Sequence, residues 1–263
     1  MNILDTIIAQ KRIEVAERKA NRPITVLEKT SGCKRETISF EKFLLDVSRT
    51  GIIAEFKRRS PSKGIINATA DVVAVTTAYA ANGASAISVL TDELFFGGST
   101  ADLEAARVNQ IPILRKDFII DEYQLVESRS MGADVILLIA SCLSPLEVER
   151  LAKTARALGL GVLLELHGEE ELGHVNAFTP VVGINNRNLK TFTVDINRSL
   201  AMAAQLPPQT IKVAESGIDK VENVRIFKDH GFRGFLIGEL FMKAPDPGLA
   251  FQQFVNELNK VSV

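Results

Sequence analysis

The chain has no tryptophan, only two tyrosines and two cysteines in 263 residues, and its charges nearly cancel. Each scarcity excludes something. Cys33 and Cys142 lie far apart and in unlike surroundings, which argues against a disulfide scaffold or a cysteine zinc site. The three histidines, His167, His174 and His230, include no i, i+4 pair of the kind that holds a metal on a helix. With 31 Lys+Arg against 32 Asp+Glu and no long basic block, the electrostatic footprint of a nucleic-acid partner is missing. Apolar runs such as 135–140 fall far short of the roughly 20 residues of a membrane span. The N-terminus carries Asp5 early and no apolar stretch leads to a cleavage site, so a cytoplasmic protein without nucleic-acid or membrane partners is expected.

What is present is a hydrophobic fraction of 46%, enough for a sizeable core, with glycine and proline at ordinary levels. From Gly51 onward, short runs rich in Val, Ile and Leu alternate with amphipathic segments, punctuated by Gly, Asn and Pro. The expected strands are 52–57, 86–91, 112–116, 135–141, 162–166, 181–185, 212–216 and 234–238. The expected helices are 71–82, 100–109, 121–131, 145–158, 169–178, 195–205, 220–230 and 248–260. Ser144 ahead of Pro145 and Gly159 just past the end are start and stop signals for one of them.

Strands apolar on both faces belong to a covered parallel sheet, and eight strand-helix units in about 210 residues fit a (β/α)8 TIM barrel of the α/β class. A doubly wound dinucleotide fold would need a Gly-rich turn after the first strand. The turn here is Arg58-Arg59-Ser60-Pro61-Ser62. One barrel domain over 1–263 is therefore expected, its core at 51–263 and an extra helical segment at 1–48 packed on it. In that segment Ile3, Leu4, Ile7, Ile8, Ile13, Val15 and Ala16 fall broadly on one helical face, with Lys11, Arg12, Glu14 and Glu17 on the other. The helix serves either as a lid on one barrel end or as an arm over the active site, and 28–37 reads as a polar connector.

The apolar strands end in charged or amide groups, always at the carboxyl end, where barrels build their sites. Strand one supplies Glu55 and Lys57, two apart on one face, followed by Ser60; strand three supplies Lys116, beside Asp117. Strand five supplies Glu165, strand six Asn185 and Arg187, strand seven Glu215 and Ser216. Burying such groups together is costly unless mutual pairing or function retains them. Lys57 and Lys116 at one mouth are expected to depress neighbouring carboxylates and each other. Ser216-Gly217 and Gly238-Glu239 close the last two strands, where barrels commonly bind phosphate through backbone amides.

Together Glu55-Phe56-Lys57-Arg58-Arg59-Ser60-Pro61-Ser62-Lys63-Gly64, Leu114-Arg115-Lys116-Asp117-Phe118-Ile119-Ile120-Asp121, Gly183-Ile184-Asn185-Asn186-Arg187-Asn188-Leu189 and Ala214-Glu215-Ser216-Gly217-Ile218 resemble the indole-3-glycerol-phosphate synthase family. The resemblance spans almost the whole chain. It implies a lyase of tryptophan biosynthesis that converts 1-(2-carboxyphenylamino)-1-deoxyribulose 5-phosphate, a sugar phosphate bearing an anthranilate ring, into indole-3-glycerol phosphate, carbon dioxide and water, with no cofactor and no metal. By the same resemblance, Lys116 is the general acid and Glu165 the carboxylate that handles the proton of dehydration. Glu55 and Asn185 orient hydroxyls and the lysine, and Lys57, Ser60 and Arg187 contact anions. Glu215, Ser216 and Glu239 line the mouth, Gly217 and Gly238 cradle the phosphate, and Phe96 packs near the aromatic ring. The family usually has a small residue and then Leu after Gly-Glu, where this chain has Leu240-Phe241. A monomer or weak homo-oligomer with no fused second enzyme is expected. Alternatives are a Schiff-base aldolase acting through Lys116, a sugar-phosphate isomerase, or a silent binding barrel.

Overall fold

The computed structural model describes residues 3–61, 63–187 and 193–260, so Met1 and, within the motifs, Ser62, Asn188 and Leu189 lie outside the described residues. Eight parallel strands close into a barrel: β1 (Ile52–Phe56), β2 (Ala86–Leu90), β3 (Ile113–Lys116), β4 (Val135–Ile139), β5 (Gly161–Leu166), β6 (Val181–Asn185), β7 (Ile211–Glu215) and β8 (Phe232–Ile237). Each strand pairs with its sequence neighbours and β8 pairs with β1, so no edge is left open. All eight lie where the apolar runs predict them.

Alternation along the strands divides two cores. Outward residues such as Ile52, Ile87, Ile136, Val162 and Phe235 pack under the surrounding helices. Inward residues Ile53, Leu114, Val135, Leu137, Leu163, Val181, Val213 and Leu236 fill the barrel with Phe40 and Leu44. These last two come from a short helix, Phe40–Leu45, capped by the Ser39 side chain. It plugs the amino-terminal end and leaves the carboxyl end for polar groups.

Six of the expected helices are found as regular helices at Val72–Ala81, Thr100–Ala106, Glu122–Ser130, Ile196–Ala203, Val221–Asp229 and Pro247–Leu258. Pro145–Ala157 is a seventh, entered through a Ser144–Glu147 capping box with Pro145 in the first turn. The segment expected as a helix at 169–178 forms only a 3-10 helix, Glu169–His174. Beyond it the Asn176 side chain accepts from the Phe178 N–H at 2.9 Å, offering the backbone a turn instead. A hairpin pairing Arg59–Ser60 with Gly64–Ile65 and a short helix Glu239–Met242 escape the periodicity reading because neither is long enough to repeat its period. None of the helices among the described residues is long and apolar enough to cross a membrane.

The N-terminal helix, Ile3–Asn21, corrects the amphipathic reading: it buries Ile7, Ile8, Lys11 and Val15, while Ile13 is 55% exposed. Lys11 is 1% exposed because its Nζ lies 2.8 Å from Asp92 Oδ2, 3.0 Å from Asp117 Oδ1 and 2.9 Å from Glu14 Oε2. Asp92 and Asp117 follow the carboxyl ends of β2 and β3, so this helix docks at the mouth of the barrel, as an arm does. Farther along it, Val15 packs with Leu27 and Tyr123. The connector at 28–37 is tied down by Arg35, which donates to Asp134 Oδ1 at 2.6 Å.

Candidate active site

Strand register brings the predicted polar residues to one mouth. Glu165 on β5 pairs in register with Gly183 on β6, and Asn185 on β6 with Glu215 on β7. Between β5 and β7 the inward position is thus Gly183, which has no side chain. A Cβ there would collide with Glu215 Oε1, so glycine is what lets Glu215 lean across β6 toward Glu165.

Lys116 Nζ lies 3.1 Å from Glu165 Oε2, and Asn185 Nδ2–H donates to Glu165 Oε1 at 2.9 Å. Lys57 Nζ pairs with Glu55 Oε1 at 2.6 Å, as two residues of one face can. Burial by itself would lower the Lys116 pKa, but the charges of Glu165, Glu215 and Glu55 outweigh it and hold the ammonium above its ordinary value. For Lys116 this reverses the expected depression. Burial likewise opposes ionisation of Glu165, yet Lys116, His167 and Asn185 keep its pKa well below the usual carboxylate range. Glu215 goes the other way: burial, the Glu165 charge and a hydrogen bond with Glu165 push it well above. Its Oε1 is buried without a hydrogen-bond partner among the described residues, as suits the carbonyl oxygen of a neutral acid. Within one cluster the surroundings thus push Lys116 toward its charged form, Glu165 toward ionisation and Glu215 toward the protonated acid.

The loops complete the rim. Phe96 stands with its ring centroid 6.0 Å from that of Phe118, on a turn held by Asp92, whose Oδ1 accepts from the Phe95 N–H at 2.8 Å and the Phe96 N–H at 3.2 Å. Arg187 takes its backbone direction from Asn185 Oδ1, which accepts its N–H at 3.0 Å, and its guanidinium lies 3.9 Å from Glu239. Lys63 approaches the same carboxylate at 3.8 Å. Ser60 is buried in the hairpin after β1. After β7 the chain turns through left-handed conformations at Ser216 (φ 65°) and Gly217 (φ 68°), and at Gly217 a Cβ would strike Val194. Gly238 precedes the helix Glu239–Met242. Phe241 faces away from the mouth, fully buried with its centroid 5.1 Å from that of Phe251, so the bulky Leu240-Phe241 pair is absorbed mainly by the helix layer.

A Cβ on Gly238 would lie 2.6 Å from Glu55 Oε1 and 2.8 Å from Glu55 Cβ. Gly238→Val should therefore displace Glu55 as well as obstruct the rim, and both kcat and KM are expected to suffer; initial-rate kinetics showing both unchanged would refute it.

Sequence reasoning missed two groups. His167, considered in sequence only to set aside a metal role, puts Nε2 2.9 Å from Glu165 Oε1; its position two residues after Glu165 is the available signal. Arg115, fully buried behind Lys116, donates to Asp117 Oδ2 at 3.0 Å and pairs with Glu127 at 2.8 Å, bracing the end of β3 from outside the barrel. No signal in sequence distinguishes it from an exposed arginine.

The family model described as indole-3-glycerol phosphate synthase matches residues 4–254. The chain belongs to that family. A Bacteroides thetaiotaomicron indole-3-glycerol phosphate synthase is 48% identical over 258 residues, covering 98% of this chain and 99% of the relative. That of Verminephrobacter eiseniae is 43% identical, covering 95% and 97%. Among solved structures, a 3-hexulose-6-phosphate synthase (TM-score 0.59, 15% identity, covering 78% of this chain and 98% of that one) shares the barrel fold. So does a mutant tryptophan synthase alpha-subunit of Pyrococcus furiosus (TM-score 0.59, 15% identity, covering 80% and 98%). Family membership makes the chain a carboxy-lyase of tryptophan biosynthesis.

Proposed function

We infer that this chain closes the pyrrole ring of 1-(2-carboxyphenylamino)-1-deoxyribulose 5-phosphate, with loss of carbon dioxide and water, to give indole-3-glycerol phosphate. The observation that carries the residue-level reading is the Lys116–Glu165 pair, 3.1 Å apart inside the barrel mouth. Attack of the aromatic carbon on the ketone builds charge on an oxygen, which the Lys116 ammonium protonates. Departure of carbon dioxide restores the aromatic ring, and Glu165 handles the proton as the hydroxyl leaves as water. Asn185 and Glu55 orient these two groups and the substrate hydroxyls. Lys57, Ser60 and Arg187 meet the substrate's anionic ends, Phe96 packs on the anthranilate ring, and Glu215, Ser216 and Glu239 line the rim. The backbone around Gly217 and Gly238 receives the phosphate. No cofactor has a step to perform. The whole chain acts as one barrel domain with 1–48 as its extension.

The Schiff-base alternative requires a neutral, nucleophilic amine, and the carboxyl groups around Lys116, Glu165 foremost, favour its protonated form. Incubating the purified protein with the carboxyphenylamino sugar phosphate tests the reading directly. The chain has no tryptophan, so indole fluorescence rising over time reports product formation against only two tyrosines. Absence of that signal, or a borohydride-trapped imine on Lys116, would reject it.

A further inference from the structure

The ring closure has a proton balance that Lys116 and Glu165 do not close between them, and this inference rests on that reading of the reaction. The substrate enters as a carboxylate and its carboxyl carbon leaves as carbon dioxide, the bonding pair staying with the ring. One proton goes to the ketone oxygen, one goes to the departing hydroxyl, and one is removed from the ring methylene. Two in and one out leave a net uptake of one proton from water per turnover. The proton removed from the ring carbon can return to the Lys116 amine that gave the first. The second, delivered to the hydroxyl from Glu165, must be replaced from outside.

His167 connects Glu165 to an exposed residue on the far side of its ring. Its Nε2 lies 2.9 Å from Glu165 Oε1 and its Nδ1 3.2 Å from Ser141 Oγ, while Ser141 itself is exposed at the end of β4. The tautomer of the ring follows from counting hydrogens. Ser141 has one hydroxyl proton, and it is given to Glu171 Oε1. Ser141 Oγ can then only accept from His167, so Nδ1 carries a hydrogen. With Nδ1–H fixed, Nε2 has two states: protonated beside an ionised Glu165, or bare and accepting from a protonated Glu165. The two differ by one proton moved between atoms 2.9 Å apart, after a small rotation of the ring that brings the Nε2–H, not aimed at the carboxylate at rest, into line with it. Glu171 holds the other side of the arrangement, its Oε2 accepting the His167 backbone N–H at 2.6 Å. The ionisable groups facing the pair are Glu171 and Cys142 on the outer side and Lys116 and Glu215 on the inner side. Imidazole is the side chain suited to exchanging a proton with water near neutral pH.

We propose that His167 is the proton entry of this active site, taking a proton from water beside Ser141 and passing it through Nε2 to Glu165 once per catalytic cycle. Ser141 and Glu171 hold the imidazole in the tautomer that makes the transfer productive. His167 acts through Glu165 and does not touch the substrate.

The test compares His167→Ala and His167→Gln with the unmodified protein, whose turnover of the carboxyphenylamino substrate is measured first and stands or falls with the proposed function alone. Reprotonation of Glu165 should become limiting in both variants, lowering kcat about tenfold or more with little change in KM. Added imidazole should restore His167→Ala in proportion to its concentration, with effectiveness following the pKa of substituted imidazoles, a response that a structural histidine does not produce. His167→Gln keeps a polar contact to Glu165 but carries no titrating proton, so under this proposal it fails as the alanine variant does. Full activity in the glutamine variant, loss that no buffer base restores, or failure of both variants to fold would each overturn the proposal.

Discussion

Glu165→Gln and Lys116→Ala are each expected to lower kcat by ~10²–10⁴, about 2.7–5.5 kcal/mol of barrier, as removal of a positioned proton donor or acceptor does. Their stabilities should part company. Lys116 stands against Glu165, Glu215 and Glu55, so its loss leaves the buried Glu165 charge without its cation. Glu165→Gln instead removes the charge that most strongly opposes ionisation of Glu215, while a side-chain oxygen can still accept from Asn185. The urea midpoint should fall for Lys116→Ala and stay at or above the native value for Glu165→Gln. A glutamine variant with near-native kcat and a lowered midpoint would identify the pair as structural and discard the catalytic assignment.

Lys11→Met should produce the largest loss of stability, about 3–5 kcal/mol, because it strips the cation from two fully buried aspartates. Among the described residues, Lys11 is the partner of Asp92 Oδ2, and it shares Asp117 with Arg115 and Thr91. The pKa directions set the pH window. Burial opposes the charge of Lys11, but Asp117 and Asp92 raise its pKa, so its contribution is present below about pH 10 and lost as pH rises through the folded-state value. Burial also opposes ionisation of Asp117, but Arg115 and Lys11 lower its pKa, so that contribution is present above about pH 4 and lost as pH falls through the folded-state value. The deficit of Lys11→Met should accordingly be flat between these limits in urea titrations and shrink in acid. Because Asp92 also holds the Phe95–Phe96 turn, KM should rise in the same variant. A midpoint within experimental error of the native one would show that the aspartates find other partners and that the arm is not anchored here.

The barrel was legible because its strands are covered on both sides: continuous Val, Ile and Leu runs have few alternatives, and a polar residue ending such a run stands out at the one face where burial stops. Glu55, Lys116, Glu165, Asn185 and Glu215 were all readable for that reason. Lys57 could be placed beside Glu55 by period-two alternation alone. The arm was readable only as a helix. A lysine on an amphipathic helix is ordinarily solvated, and nothing near Lys11 in sequence announces Asp92 and Asp117, which come from two other strand ends.

What the sequence by itself determined is the periodic information: eight strands, their order, which end of each is polar, and motifs specific enough to point to a family. Only the tertiary structure decided which charges meet. It set the arm at the mouth, pushed Glu215 toward its neutral form and Glu165 toward its ionised one, favoured the protonated Lys116, and put His167 between Glu165 and Ser141. The physical reason is that protonation and pairing depend on distances of a few ångströms between strands and on burial that screens them from water. Sequence separation carries neither.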